Sequence, residues 1–347
     1  MTELDWARLS DSLVNFTIVV YALALLGYGI ENAFGRRAAR AGARAATPSA
    51  RERVAVSAAP DTKPGTQPDT WPQTQHGTPQ NADPGARSGG SSGPAVAGKV
   101  GVALTVLGAV LNAGAVVTRG LAAGRVPWGN MYEFAIAASL VAVVVWLVVL
   151  TRSGPQVRRL GGFVILPVIL LLGIASLLLY VPAGPLVPAL NSSWLMVHVA
   201  AAIIATGTFL VSFVASVLYL LRSARDRADS GEGRGGVAAR LGRRLPAADQ
   251  LDRLAHRTVV FAFPVWTFAV VAGAIWAESA WGRFWGWDPK ETWSAISWLV
   301  YAGYLHARAT AGWSGRRAAW ISILGFTTMM INLFGVNFVV SGLHSYA

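Results

Sequence analysis

The 347-residue chain contains no cysteine. That absence excludes an internal disulfide, a thiolate metal ligand and a cysteine nucleophile, so any thiol chemistry must come from a partner. Charge is also scarce. Only 13% of the residues are charged against 54% hydrophobic, and mean hydropathy is +0.47, whereas a soluble globular chain carries about 25% charged residues. The main solvent of this chain is lipid, and we expect an all-α polytopic integral membrane protein.

What is present in quantity is the long apolar run. A bilayer core of roughly 30 Å is crossed by about 20 helical residues. Eight stretches are candidates: Leu13 to Ile30, Val100 to Val117, Met131 to Leu150, Leu160 to Val181, Trp194 to Leu221, Thr258 to Trp276, Thr292 to His306, and Trp320 to Val340. The seventh is the least apolar.

Acidic residues number 17 against 29 basic ones, a formal net charge of +12. On one soluble face such an excess would point to nucleic acid. Its placement encodes topology instead. With the N-terminus outside, the segments 36–99, 151–159, 222–257 and 308–317 fall on the cytoplasmic side and hold 24 of the 29 basic residues. Only Arg8, Arg119, Arg125, Arg283 and Lys290 are left outside, which satisfies the positive-inside rule and puts both termini outside.

Three parts follow. Residues 1–35 form a first anchor, with Glu3, Asp5 and Asp11 before the apolar run and Arg36, Arg37 and Arg40 after it, the reverse of a cleavable signal peptide. Residues 36–98, rich in Ala, Arg, Pro, Gly, Ser and Thr, read as a disordered cytoplasmic linker. Residues 99–347 form the main membrane domain. In the second cytoplasmic loop, Leu241, Leu245, Leu251 and Leu254 suggest a short interfacial helix.

Between the sixth and seventh spans runs WGRFWGWDPKETW, from Trp281 to Trp293. Tryptophans beside a membrane ordinarily form an interfacial belt, and Trp6, Trp128, Trp146 and Trp320 are assigned to it. Trp281, Trp285, Trp287 and Trp293, with Phe284 among them and glycines between, exceed what anchoring requires. They offer stacking faces to a large planar ligand. Asp288-Pro289-Lys290-Glu291 has a structural explanation of its own: Asp288 as N-cap, Pro289 at the first helical position and Glu291 completing a capping box.

Five histidines remain to be placed. His76, in the linker, and His256, at the cytoplasmic edge, are read as incidental. His198 lies four residues past Trp194, about 6 Å below the outer surface at 1.5 Å per residue. His344 follows the last span on the same outer side. Two histidines and a tryptophan platform on one membrane face, without cysteine, fit a bis-imidazole haem site better than a zinc site, which wants further ligands; two unrelated interfacial histidines are the alternative. Lys290, Arg283 and Arg125 are the basic side chains available to haem propionates. His306, thirteen residues beyond Trp293, lies about 20 Å into the bilayer. It is either a functional ionisable group or a neutral histidine bonded to a neighbouring helix.

WGRFWGWDPKETWSAISWLVYAGYLHAR closely resembles the WWD signature of the haem-handling protein family, in its System II cytochrome c biogenesis branch of CcsA/ResC type. GRVPWGNMYEF, NSSWLMVHV, FPVWTF, GAIWAESAWG and GVNFVVSGLHSY extend the resemblance from about residue 100 onward. It implies that His198 and His344 are axial ligands of an external haem b, held as a bound substrate. Trp281, Trp285, Trp287 and Asp288 match the loop itself, which Trp293 closes. His306 matches a transmembrane haem-binding histidine. The family pairs that histidine with a second deep one, absent here, which implies that a ResB-like membrane subunit supplies it. The other implied partners are apocytochrome c and, indirectly, thiol-reducing thioredoxin-like proteins, at the bacterial cell membrane with the loop outside. Export of haem without ligation, and haem-mediated electron transfer, remain the competing readings.

Overall fold

The computed structural model describes residues 2–45, 93–154, 157–185, 190–233, 236–243 and 245–339. Every regular element among them is helical. In chain order these are α1 (Glu3–Ala45), α2 (Gly93–Ala123), α3 (Met131–Ser153), α4 (Gly161–Leu178, entered through the 3₁₀ turn Val157–Leu160), α5 (Ser193–Asp229), α6 (Val237–Gly242), α7 (Ala248–Trp281), α8 (Pro289–Thr310) and α9 (Arg316–Met330). A π-helical turn, Ile331–Gly335, continues α9 into α10 (Val336–Val339). Each of the eight expected spans falls mainly on a helix; the fourth helix stops at Leu178, short of Val181, and Val340 of the last lies outside the described residues. Seven are long and apolar enough to cross a membrane, and α8 is the one below that mark.

The centre of the bundle is α5. Its inner stretch is mostly buried, with Ala201, Ala205, Phe209, Ser212 and Ala215 each under 7% exposed. Small residues let neighbours come close, as expected where lipid supplies no hydrophobic drive between helices. A methyl at Gly207 would stand 2.9 Å from the Ala138 carbonyl oxygen of α3. Across α5, Phe209 stacks on Tyr301 of α8 at 3.8 Å between ring centroids. Ser212 Oγ donates to Ala255 O at 3.0 Å and lies 3.1 Å from Ser322 Oγ, tying α7 and α9 to the same core.

Two polar knots pin α1 to the rest. Towards its C-terminal half, Glu31, 3% exposed, pairs with Arg158, and Tyr28 OH meets Thr105 Oγ1 at 3.0 Å. Near its N-terminus, Tyr180 OH donates to Asp11 Oδ2 at 2.7 Å.

Three expectations need correction. α1 runs to Ala45 and α2 starts at Gly93, so both ends of the 36–98 linker are helical; residues 46–92 lie outside the described residues. Leu241 and Leu251 are not on one interfacial helix, because the chain breaks between α6 and α7 around Pro246, which cannot donate a backbone hydrogen bond. Leu251 is instead buried at 1% exposure. Trp146 is fully buried between α3 and its neighbours and belongs to no aromatic belt.

Candidate functional site

The end of the bundle that gathers the α3 and α5 N-termini, the α7 C-terminus and the α8 N-terminus encloses a cavity with one open side. Its volume is about 210 Å³. Trp128, Phe134, Trp266, Trp276, Phe284 and Trp285 supply aromatic walls, while His198, Lys290, Glu291, Ser294, Asn332 and Asn337 supply the polar groups.

His198 is seated by α7. Its Nδ1 lies 2.7 Å from Ala269 O. A carbonyl only accepts, so Nδ1 carries the proton and the ring's lone pair is on Nε2. Trp276, 2% exposed, stacks against the imidazole at 6.3 Å and 17° between planes, and Trp281 packs edge-on against Trp276 at 4.8 Å. Space for the ring comes from Gly273, where a methyl would stand 2.6 Å from Nδ1 and 2.8 Å from Cε1.

The tryptophan loop is held at both ends by helix caps. α7 stops at Gly282, whose φ of 69° is left-handed and whose N–H donates to Glu278 O at 2.8 Å. α8 starts with the expected capping box: Asp288 accepts from Lys290 N at 3.1 Å and Glu291 Oε2 accepts from Asp288 N at 3.1 Å. Glu291 Oε2 also takes Gly286 N at 2.7 Å, so one carboxyl fastens two residues of the loop.

Of the sequence-predicted residues, His198 and Trp285 line the cavity. Trp281 stands behind it, against Trp276. Trp287 turns outward at 70% exposure, edge-on to Trp285 at 5.7 Å, with a φ of 57° that non-glycine residues seldom adopt. Trp293 and Asp288 are not in the lining; Asp288 works as the cap. His306 lies on the exposed side of α8, away from the cavity. His344 and His76 lie outside the described residues. His256 packs on Tyr304 at 6.1 Å.

Among the three basic candidates, only Lys290 lines the cavity. Burial pushes its ammonium down to about 8, against the opposing pull of Asp288. Arg125 is committed elsewhere: its Nη1 donates to Glu133 Oε2 at 2.8 Å and its Nε to Gly184 O at 3.2 Å. Arg119, fully buried, donates from Nε to Glu133 Oε1 at 3.2 Å and also reaches Val181 O. Glu133 in turn accepts from Gly129 N at 2.8 Å, while its own N–H donates to Asn130 Oδ1 at 2.9 Å, which shapes the 128–131 wall.

Sequence reasoning missed Gly273, Trp276, Trp266, Glu133 and Asn332, and left Trp128 to the aromatic belt. One signal was readable: a lone glycine inside the α7 apolar pattern marks close packing. Four buried polar atoms of lining residues make no hydrogen bond among the described residues: Trp128 Nε1, Trp266 Nε1, Glu291 Oε1 and Asn332 Oδ1. Buried polar groups are normally paired, so each is evidence about an occupant. The same residues contain no group of three or more His, Cys, Asp or Glu side chains able to hold a metal ion.

The family described as cytochrome C assembly protein matches residues 128–344. A cytochrome c biogenesis protein CcsA of Gloeobacter violaceus is 34% identical over 281 residues, covering 67% of this chain and 82% of that protein. CcsA of Synechococcus elongatus is 38% identical over 271 residues, 66% of this chain and 81% of its own. CcsA of Guillardia theta is 35% identical over 262 residues, 71% and 85%.

Proposed function

This chain belongs to the cytochrome c assembly protein family, as a membrane protein of the CcsA type, and we propose that it binds haem in the cavity beside His198 and presents it for covalent attachment to apocytochrome c. Its role in cytochrome c biogenesis follows from the family; the haem site and the ligation step are our reading.

The observation that carries this reading is the seat of His198. An imidazole whose Nδ1–H is fixed on a backbone carbonyl offers Nε2 to a metal, and that outer partner sets the ring's orientation and basicity. The cavity around it suits the rest of the ligand. Aromatic walls fit the flat apolar body of a porphyrin, and the unpartnered indole N–H groups of Trp128 and Trp266, with Lys290, are donors for its two carboxylates.

His344 completes the pair of axial ligands. Asn337 lines the cavity seven residues before it, and seven residues of extended chain reach at most about 25 Å. His306, on the exposed side of α8, binds haem on its way outward, opposite a histidine of a ResB-like subunit. Trp281, Trp287, Trp293 and Asp288 act on haem through the loop: Trp281 backs Trp276, Asp288 caps α8, and the outward Trp287 meets incoming substrate. Haem supplies two vinyl groups. Each substrate thiol adds across one of them, sulfur to one carbon and hydrogen to the other, with no net oxidation. The chain contributes position rather than a nucleophile, in keeping with its lack of cysteine.

His198→Gly tests the reading. Purified with and without a ResB-like partner, the variant loses haem by pyridine haemochrome assay, and added imidazole restores it. Undiminished haem in the variant overturns the assignment.

A further inference from the structure

Arg119 is a charge in an expensive place. It lies just past the second apolar run, at the outer end of α2, and is fully buried. A guanidinium withdrawn from water needs several partners at once. Arg119 finds them on separate parts of the chain. Its Nε donates to Glu133 Oε1 of α3 at 3.2 Å, and its Nη2 donates to Val181 O in the connection after α4. Its charge stands over the rings of Tyr132 at 5.0 Å and Tyr180 at 5.8 Å. The remaining arm, Nη1, faces α1: it is 3.9 Å from Asp11 Oδ1, and neither atom has a hydrogen-bond partner among the described residues.

Glu133 has no capacity to spare. Oε1 accepts from Arg119 and, at 3.3 Å, from Arg125 Nη2, while Oε2 accepts from Arg125 Nη1 and from Gly129 N, both at 2.8 Å. An ionised carboxylate offers about four acceptor sites, and here each is taken. Any displacement of Arg119 therefore moves the carboxylate, and the carboxylate holds Gly129. Trp128, Gly129, Asn130 and Met131 are one wall of the cavity that contains His198. Asp11 and Glu133 balance Arg119 and Arg125, and Asp11 is the member nearest water, its side chain 33% exposed.

We propose that Arg119 is a positioning residue of the cavity: through Glu133 it holds the 128–131 wall, and Asp11 of α1 sets its place. The first helix, outside the segment 128–344 that the family matches, thereby helps to shape the site. Without the Asp11 carboxylate, Arg119 draws Glu133 towards itself and away from Gly129 N. Lysine at this position would keep the charge, but one ammonium lacks the planar fork that serves Glu133 and Val181 O together. What the wall does rests on the haem reading, in which Trp128 Nε1 is a donor for a haem carboxylate; the coupling itself does not.

Hydrogen exchange of the full chain in detergent, read on the peptide covering residues 128–134, reports the Gly129 N–H. Asp11→Asn and Arg119→Lys each speed exchange there about 10-fold or more, the worth of a hydrogen bond to a charged acceptor, while peptides from the α5 interior exchange as in wild type. Glu31→Gln is the control, since it breaks the other knot of α1, with Arg158, and leaves the 128–134 peptide unchanged. Unaltered exchange at 128–134 in Asp11→Asn overturns the proposal, and so does an equal rise in Glu31→Gln, which would make α1 a general brace. Asp11, being partly exposed, decides the outcome should Arg119→Lys not fold. Haem titration is the second arm: Asp11→Asn weakens binding in the wild-type background and not in Trp128→Phe, whose wall donor is already gone. Equal weakening in both backgrounds overturns the route through the wall. Absence of haem binding by wild type overturns the haem reading instead, and the exchange result alone then decides the coupling.

Discussion

A single methyl group at Gly273 separates the seat of His198 from its mere presence. In Gly273→Ala the new Cβ would stand 2.6 Å from Nδ1 and 2.8 Å from Cε1, closer than real Cβ atoms approach other heavy atoms. Gly273 lies inside a long helix, so the imidazole must yield, and it can do so only by leaving Ala269 O. On helix propensity alone the change favours folding by about 1 kcal/mol. Overpacking costs about 1–3 kcal/mol and the lost hydrogen bond about 0.5–1.5 kcal/mol. The net change in stability is therefore modest, at most about 3.5 kcal/mol. The change in ligand binding is larger in proportion, because loss of an outer hydrogen-bond partner lowers metal affinity by about 10- to 100-fold.

The assay pairs haem titration, followed in the Soret band, with melting of the detergent-solubilised chain. Gly273→Ala loses at least 10-fold in haem affinity while the fold is retained. Gly303→Ala in α8 is the control, since a methyl there meets nothing within 4 Å. An unshifted titration for Gly273→Ala would show that His198 does not hold haem in this rotamer.

Lys290 makes haem binding depend on pH. Its ammonium, lowered by burial to about 8, is charged below that pH and neutral above it, so a carboxylate held by it is released as pH rises. Haem affinity falls between pH 7 and 9, and Lys290→Met is weaker at pH 7 and flat across the range; a wild-type titration flat over that interval refutes the contact. Glu133→Gln takes their shared carboxylate from the buried Arg119 and the partly exposed Arg125, a loss of up to about 3–5 kcal/mol by analogy with broken buried pairs, visible as a lowered melting midpoint. An unchanged midpoint would mean that Arg119 and Arg125 find other partners.

What the residues disclosed before any coordinates, and what they hid, divides along the range of the interaction. Spans, the capping box and the alternation that places His198 on the same side as the tryptophan loop all depend on periodicity or on neighbours within four residues. Asp288 and Glu291 capped α8 as their spacing required. Glu133 was silent, because its partners Arg119 and Arg125 lie 14 and 8 residues away and its contacts to them have no local period. Asn332 was hidden for another reason: the π-helical turn Ile331–Gly335 departs from the 3.6-residue repeat on which a helical-face argument rests. Trp128 and Trp146 looked alike as membrane-edge aromatics, yet one lines the cavity and the other is fully buried in the bundle.

The weakest span is also the one that builds the polar side of the cavity. α8 falls below the apolarity of the other seven because its first turns carry Lys290, Glu291 and Ser294, and these line the cavity, while Arg308 near its end pairs with Asp252 at 2.9 Å through both guanidinium arms. Replacing those residues with leucine would make a better lipid-facing helix and erase the polar wall. What keeps so polar a helix in the bundle is its contact face: Tyr301 and Tyr304 are buried, and Phe209 stacks on Tyr301. The face left outside carries Leu299, Gly303 and His306. An ionisable side chain there is costly against lipid and becomes tolerable against haem or a partner helix. One helix thus presents the cavity on its upper inner side and His306 on its outer side, about 22 Å further along at 1.5 Å per residue from Glu291. Movement of haem between the two would follow α8 around its edge rather than through the core, where the Phe209–Tyr301 stack closes the way.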